Sequence, residues 1–323
     1  MSAPRATWLT WRMHRFEVVF VAGVAVLLAA TLWVIASHLR DIHVDPGCWA
    51  QWDGSDQATS ACQRTVGAWL DVNEHEVGQT TGLLVFLPIL LGAILGVPVV
   101  GREAEARTLS LAWALEGRRW RWLVARVLPM LAVAVVAAVL LGLAASEMRA
   151  AQAVSPFEAE DLGDIARQGP VLASRVLLGF GAGLFAGAIL GRTLPALLVA
   201  SALVVGWVGF AGPMVEREVA RTQAVWVPSS QVFADGNVQA LAYLDGATRG
   251  PDGTIVQEDE SVTVVCSSDD TECQDDDGNQ YVALVVPFEA EPAIERFDVA
   301  VTLGLAVAAV GGTLLVVSRH RPE

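Results

Sequence analysis

Six long apolar runs dominate the sequence, and they constrain the fold more than any other feature. A helix needs about 20 mostly apolar residues to cross the core of a bilayer, and each run is close to that length. The sequence therefore predicts an all-α polytopic membrane protein with six transmembrane helices. The predicted spans are residues 18–37, 82–100, 123–145, 171–190, 194–215 and 299–317.

The composition argues against several other classes of protein. The chain is 54% hydrophobic and only 17% charged, and its formal net charge is −14. Intrinsic disorder requires low hydrophobicity, and nucleic-acid binding requires a basic surface, so neither class fits. We expect the lipid bilayer, and no nucleic acid, as a partner.

The charges are divided unevenly between the two sides that six crossings define. The side that holds both termini carries 12 Arg against five acids, a net charge of +7, whereas the other side has a net charge of −21. Basic residues near the ends of spans face the cytoplasm. We therefore expect a multi-pass membrane protein with both termini in the cytoplasm.

Four cysteines lie on the predicted outer side, two in each of two segments. Their proximity favours Cys48–Cys62 and Cys266–Cys273 disulfides, with free thiols as the alternative. The histidines near the first pair do not repeat a metal-ligand spacing, so we expect no metal site.

The largest outer segment, residues 216–298, is predicted to form a small disulfide-bonded extracellular domain. Two strand-like runs, residues 261–265 and 281–286, flank an acidic stretch. We predict that they form a hairpin, closed by the Cys266–Cys273 bridge. An EF-hand would require ligands at Cys273 and Leu284, so the acidic stretch is interpreted as a solvated loop.

Two segments on the Arg-rich side have amphipathic helical patterns. Residues 5–17, RATWLTWRMHRFE, mix aromatic residues with Arg and predict an in-plane elbow helix; the alternative is a polar start to the first span. Residues 102–115 contain no helix breaker and predict a second helix, in which Glu103 and Arg107 pair one turn apart. Gly117 would end this helix. The helix at 102–115 would offer a docking surface for a soluble partner. A solvated loop is the alternative.

A known family shows the same two segments. The first is WLTWRMHRFE at 8–17, and the second follows an RE-x-E-x-G-T…LAW…R-x-RWL pattern. The matching residues of the second are Arg102, Glu103, Glu105, Thr108, Leu111, Ala112, Trp113, Arg119, Arg121, Trp122 and Leu123. In these segments the chain resembles the permease subunit of ABC-2 type ABC transporters, actinobacterial type. Arg107 departs from the pattern, which has glycine there, and this puts a local turn in question.

The resemblance implies a bacterial cell membrane as the location. It also implies the type V (ABCG-like) exporter fold, divided into four parts. These are the elbow helix at 1–17, spans one to five at 18–215, the extracellular domain at 216–298, and span six with a cytoplasmic tail at 299–323. The helix at 102–115 would be the coupling helix that docks on an ATPase subunit. Its implied coupling residues are Arg102, Glu103, Glu105, Arg107, Thr108, Leu109, Leu111 and Trp113.

The resemblance also implies the composition of the complex. The chain has no phosphate-binding G-x-x-x-x-G-K-[ST] loop. We expect ATP and Mg to be bound by a separate ATP-binding cassette subunit, present in two copies. A second permease copy would complete a homodimer, and this chain would have no cofactor or catalytic residue of its own.

The implied transport path runs between two permease copies and is lined by spans two and five. Their larger side chains are Phe86, Trp207, Phe210 and Met214. Such walls suit export of a hydrophobic or amphipathic drug, peptide or lipid-like molecule by alternating access, although lipid contact or core packing explains them equally well. The alternative function is a membrane-anchored sensor with an extracellular ligand-binding domain.

The spans have two further features, a repeated glycine spacing and one charged residue. Glycines recur at every fourth position, a spacing that lets helices approach closely. They are Gly92 and Gly96 in span two, Gly179, Gly183 and Gly187 in span four, and Gly191 directly after span four. We expect static packing there, and a surface that slides during transport is the alternative. Arg175 lies inside span four and is expected to pair with an outer acid or to extend to the surface; binding of an anionic substrate is the alternative.

Overall fold

The computed structural model describes residues 3–51, 60–108, 119–153, 168–228, 241–250, 253–257 and 280–319. Its α-helices are α1 (Ala3–Asp41), α2 (Pro46–Gln51), α3 (Ser60–Val72), α4 (Gly78–Glu105), α5 (Arg119–Gln152), α6 (Gly169–Leu190), α7 (Thr193–Gly206), α8 (Gly212–Gln223) and α9 (Glu291–Arg319). Two π-helical segments continue the helices, Asn73–Val77 between α3 and α4 and Trp207–Ala211 between α7 and α8. A 3-10 turn, Phe288–Ala290, precedes α9.

Six helical stretches within the described residues are long and apolar enough to cross a membrane. Each contains one predicted span, so the prediction of six spans is confirmed. The stretches are Arg12–Asp41, Ala61–Glu105, Trp120–Gln152, Gly169–Leu190, Thr193–Gln223 and Phe288–Arg319.

The bundle has two chemically different ends. One end gathers the start of α1, the end of α4, the start of α5 and the turn between α6 and α7, which are joined by polar contacts. We call it the Arg-rich end. The opposite end carries the strands and is called the sheet end.

The predicted elbow is not a separate helix. Residues 3–17 and the first span form one helix, α1, which runs without interruption from Ala3 to Asp41. The sequence offers a reason, because no glycine or proline lies between Pro4 and Gly23 to end the helix. The expected division at residue 17 is therefore absent from α1.

A four-stranded antiparallel sheet lies in the outer segment, for which a two-stranded hairpin was predicted. Its strands are β1 (Val225–Pro228), β2 (Ala242–Arg249), β3 (Ile255–Gln257) and β4 (Gln280–Val286), in the order β1-β4-β2-β3. The predicted strand at 281–286 is thus confirmed, but its partners are β1 and β2. Its predicted partner, residues 261–265, and the predicted Cys266–Cys273 pair lie outside the described residues.

The glycine-rich faces of α4 and α6 pack against each other. A Cβ atom added at Gly183 would lie 2.8 Å from the carbonyl oxygen of Ala93, and one at Gly187 would lie 2.6 Å from that of Val97. The fit is closer still at Gly92 and Gly96, where the added atom would meet the backbone of α6. The glycine pattern therefore marks one interface, with members on both helices.

The predicted Cys48–Cys62 disulfide is present and joins α2 to α3 at the sheet end. Beside it, the rings of Trp49 and Trp69 meet edge to face, with centroids 5.3 Å apart. Both tryptophans are buried in the main apolar core. The disulfide and the aromatic contact thus both join the short α2 to α3.

A buried charged cluster lies one helical turn from Val171, Ala220 and Ile294, which pack against the sheet. Arg175 on α6 is 4% exposed, and the acids whose charges act on it are Asp298 on α9 and Glu216 on α8, which are 4% and 5% exposed. Thr302 donates a hydrogen bond to Asp298 at 3.4 Å. Burial excludes extension of Arg175 to the surface of this chain. The two acids act on its charge, but Nη1 of Arg175 and Oδ2 of Asp298 form no hydrogen bond, so the predicted pairing stays a prediction.

Candidate functional site at the Arg-rich end

The expected coupling residues begin in the last turn of α4. Arg102, Glu103 and Glu105 belong to that helix, which ends at Glu105, and Arg107 and Thr108 lie in the turn that follows. A continuous helix over 102–115 is therefore wrong. The remaining expected coupling residues, Leu109, Leu111 and Trp113, lie outside the described residues.

A left-handed residue ends α4. Arg107 has φ +54°. No other non-glycine residue in the described part of the chain has a positive φ. The amide of Thr108 donates to the carbonyl of Glu103, and the amide of Arg107 donates to the carbonyl of Ala104, both at 3.1 Å. These two bonds form a Schellman motif, whose left-handed position favours glycine. The structure thus keeps the turn although arginine occupies the glycine position of the family pattern.

We expect the stability of Arg107 variants to increase with the tolerance of the new residue for positive φ. The left-handed conformation costs a residue with a Cβ about 1–2 kcal/mol, and glycine recovers this less its own entropic cost of about 0.5–1 kcal/mol. Thermal unfolding of the purified protein in detergent should give a higher midpoint for Arg107→Gly and a lower one for the β-branched Arg107→Val. Equal midpoints for the two variants would contradict the assignment of this turn.

Glu103 is buried in the bundle and is not presented to solvent. It is 6% exposed and forms an ion pair with Arg126 on α5. The guanidinium of Arg126 also lies 5.1 Å from the ring centroid of Trp122. The predicted pair with Arg107 is wrong, because α4 ends between the two residues and they no longer share a helical turn.

Arg102 and Glu105 connect α4 to two further helices. Arg102 donates to the backbone oxygen of Met13 and to a carboxylate oxygen of Glu17 on α1, both at 3.1 Å. Glu105 accepts bonds from the amide and the hydroxyl of Thr193, at 3.1 and 2.6 Å, and so caps the first turn of α7. One turn of α4 therefore holds α1, α5 and α7 together.

Four residues of this arrangement were not predicted from the sequence. They are His14, Glu17, Arg126 and Thr193. His14 is 1% exposed, and its charged neighbours are Glu17, Arg102 and Arg126. Glu17 is the single acid of the first 40 residues, which could have marked it as a partner for an inner Arg. No local pattern indicates the others, because their partners are distant in sequence.

A cavity of about 440 Å³ opens beside this turn, between α1, α4 and α7. One part of its wall is polar and the other is apolar. Its lining consists of Glu17, Ile94, Val97, Pro98, Arg102, Glu105, Thr193, Leu194 and Leu197. The described residues contain no group of His, Cys, Asp and Glu suited to a metal ion.

The four expected path residues do not line this cavity. Trp207 begins the π-helical segment and packs with Ile89 and Val208. Phe86, Phe210 and Met214 are 38%, 69% and 71% exposed on the surface of the single chain. Their assignment to a path between two copies stays a prediction.

Comparison with known proteins gives one result for the chain. A family model described as "ABC-2 membrane transporter related" matches residues 18–216, a range that contains the first five spans. No curated protein and no solved structure gives a match.

Proposed function

Because the chain belongs to the ABC-2 membrane transporter related family, we propose that it is the permease subunit of an ATP-driven ABC transporter. As a member of that family it is a multi-pass transport component of the membrane and not itself catalytic. In the proposed complex, two copies of a separate ATP-binding cassette subunit bind ATP and Mg, and two permease copies form the membrane part. The Arg-rich end faces the cytoplasm, where the ATPase would dock.

One observation supports this coupling site best. The last turn of α4 bonds to α1, α5 and α7 through Arg102, Glu103 and Glu105. The adjoining residues Arg107 and Thr108 are exposed. A partner that pushes on this turn would therefore displace four helices together, which is the mechanical requirement for rocking between two states.

The roles of the coupling residues differ in this proposal. Arg107 and Thr108 contact the ATPase, whereas Glu103 acts as a positioning residue, because it is buried against Arg126. Transport itself would follow alternating access, with a hydrophobic or amphipathic molecule as cargo and export as its direction. The family, and the end of α4 as a four-helix junction, favour this function over a sensor.

Co-purification with ATP-binding cassette proteins of the same genome tests the proposal. We expect Arg107→Asn to weaken the complex about tenfold and to lower stimulated ATP turnover, because the charge is lost at an exposed contact. Asparagine tolerates the left-handed conformation, so the turn is kept. The matched control is Arg15→Gln. Arg15 is an exposed arginine of α1 at the same Arg-rich end of the bundle.

Two results would contradict this assignment. The first is purification of the chain without any ATPase from cells that co-express the candidates. The second is an equal effect of Arg107→Asn and Arg15→Gln on the complex. The midpoint of thermal unfolding of each free permease separates a lost contact from a misfolded variant.

A further inference from the structure

We infer that the cavity at the Arg-rich end binds an amphipathic amine, with its ammonium group on Glu105 and its apolar chain between α4 and α7. This inference deepens the proposed function. It rests on that function for one point, namely that the bound molecule is cargo. The binding itself is a property of the single chain. It can therefore be tested without an ATPase.

The shape of the cavity suits a molecule with a polar head and an apolar tail. Ile94, Val97 and Pro98 of α4 face Leu194 and Leu197 of α7 along the apolar part of the wall. The charged side chains belong to the end of α4 and the start of α1. A volume of about 440 Å³ lies within the range of roughly 300–1,000 Å³ that small-molecule sites occupy.

The charges of the wall favour a cation. Two carboxylates and one guanidinium line the cavity, and Arg102 is already paired with Glu17 at 3.1 Å. Glu105 forms no ion pair within 4 Å among the described residues, although the charge of Arg192 acts on it. Both bonds from Thr193 reach Oε2 of Glu105, which leaves Oε1 to accept a bond from a ligand. An ammonium group placed there would form a charge-assisted hydrogen bond with this exposed carboxylate.

The position of the cavity along α4 fits entry from the membrane. Glu105 and Ile94 are 11 residues apart, which corresponds to about 16 Å along the helix. Leu194 in the wall is 69% exposed, and its neighbour Leu198 is 64% exposed. The apolar part of the cavity therefore continues into the lateral surface of the bundle, where a lipid-dissolved chain can enter.

Photolabelling of the full chain in phosphatidylcholine nanodiscs tests the site. The probes are dodecylamine and dodecanoic acid, each with a diazirine at the end of its tail. We expect the amine to label peptides of α4 and α7 about ten times more strongly than the acid. Glu105→Gln should reduce this labelling about tenfold, while its amide oxygen still accepts the bonds from Thr193 that cap α7.

Two tryptophan substitutions on α7 separate the cavity from the lipid-facing surface. Leu197→Trp fills the apolar part of the cavity and should abolish amine labelling there. Leu198→Trp, one residue further on the exposed face, should leave the labelling unchanged. Equal labelling by the amine and the acid, no effect of Glu105→Gln, or equal effects of the two tryptophans would overturn the inference.

A competition arm identifies the source of the ammonium group. If phosphatidylethanolamine in the nanodisc displaces the probe, the site holds a membrane lipid; if it does not, the site selects a free amphiphile. Either result supports an ammonium site. Loss of ATPase binding in the Arg107→Asn variant would leave this labelling unchanged, so failure of one proposal is distinguishable from failure of the other.

Discussion

Alanine at Gly92 is expected to destabilise the protein strongly, although it adds one methyl group to a helix. Its Cβ would overlap the carbonyl oxygen of Val176 and the amide of Phe180, which are backbone atoms of α6. Overpacking typically costs about 1–3 kcal/mol, and a rigid backbone on the other side places this site at the upper end. Leucine at Gly92 should prevent α4 and α6 from packing at all.

The matched control lies ten residues earlier on the same helix. A Cβ added at Gly82 would meet nothing within 4 Å. Gly82→Ala should therefore be neutral or slightly stabilising, by the helix propensity difference of about 1 kcal/mol or less. Thermal unfolding midpoints in detergent, together with the yield of monodisperse protein, measure both effects. Similar midpoints for Gly92→Ala and Gly82→Ala would show that the two helices are not in the described contact.

This contact bears on how the bundle can move. Backbone approaches alternate between the two helices at Gly92, Gly96, Gly179 and Gly183. Sliding by a fraction of a turn would drive Cβ atoms of neighbouring residues into the opposite backbone. We therefore expect α4 and α6 to move as one rigid pair.

Removal of the Arg175 charge is the second substitution with a large expected effect. Arg175→Leu leaves Glu216 and Asp298 buried without their cation. Removing one member of a buried ionic group costs about 3–5 kcal/mol, since the remaining charge stays desolvated. The unfolding midpoint should fall sharply, and expression of folded protein should fall with it.

Two further variants distinguish charge from packing at this site. Arg217→Leu changes an exposed arginine beside Glu216 on α8 and should be almost neutral. Adding Glu216→Gln and Asp298→Asn to Arg175→Leu should recover much of the lost stability, because no unpaired charge remains buried. If the triple variant is as unstable as Arg175→Leu, the shape of the arginine, and not its charge, holds the cluster.

The sequence predicted the features that depend on composition along one helix. Apolar length placed all six spans, and the spacing of Gly92 and Gly179 indicated tight packing. It could not identify the opposing helix, because that choice depends on tertiary geometry. Likewise Glu103 has a suitable cation at Arg107 in sequence, yet Arg126 pairs with it because α4 stops after Glu105.

The outer sheet was the least predictable element for a related reason. β2, with the sequence AYLDGATR, contains charge, glycine and few β-branched residues, so its propensity for strand is weak. It is a strand because β4 supplies a partner along seven of its residues, Ala242–Tyr243 and Asp245–Arg249. By contrast, β4 has the sequence QYVALVV and was predictable from its own residues.

The pairing of β1 with β4 limits the relative motion of the last two spans. β1 begins two residues after α8 ends, and β4 ends two residues before the turn into α9 begins. Val225 is opposite Val285 in the ladder, so the chain leaving span five is hydrogen-bonded to the chain entering span six. In kinematic terms, the ladder removes one degree of freedom, the separation of spans five and six at the sheet end. The two spans can still pivot as a pair. In the proposed transporter, a molecule released on that side would have to leave past a different pair of helices.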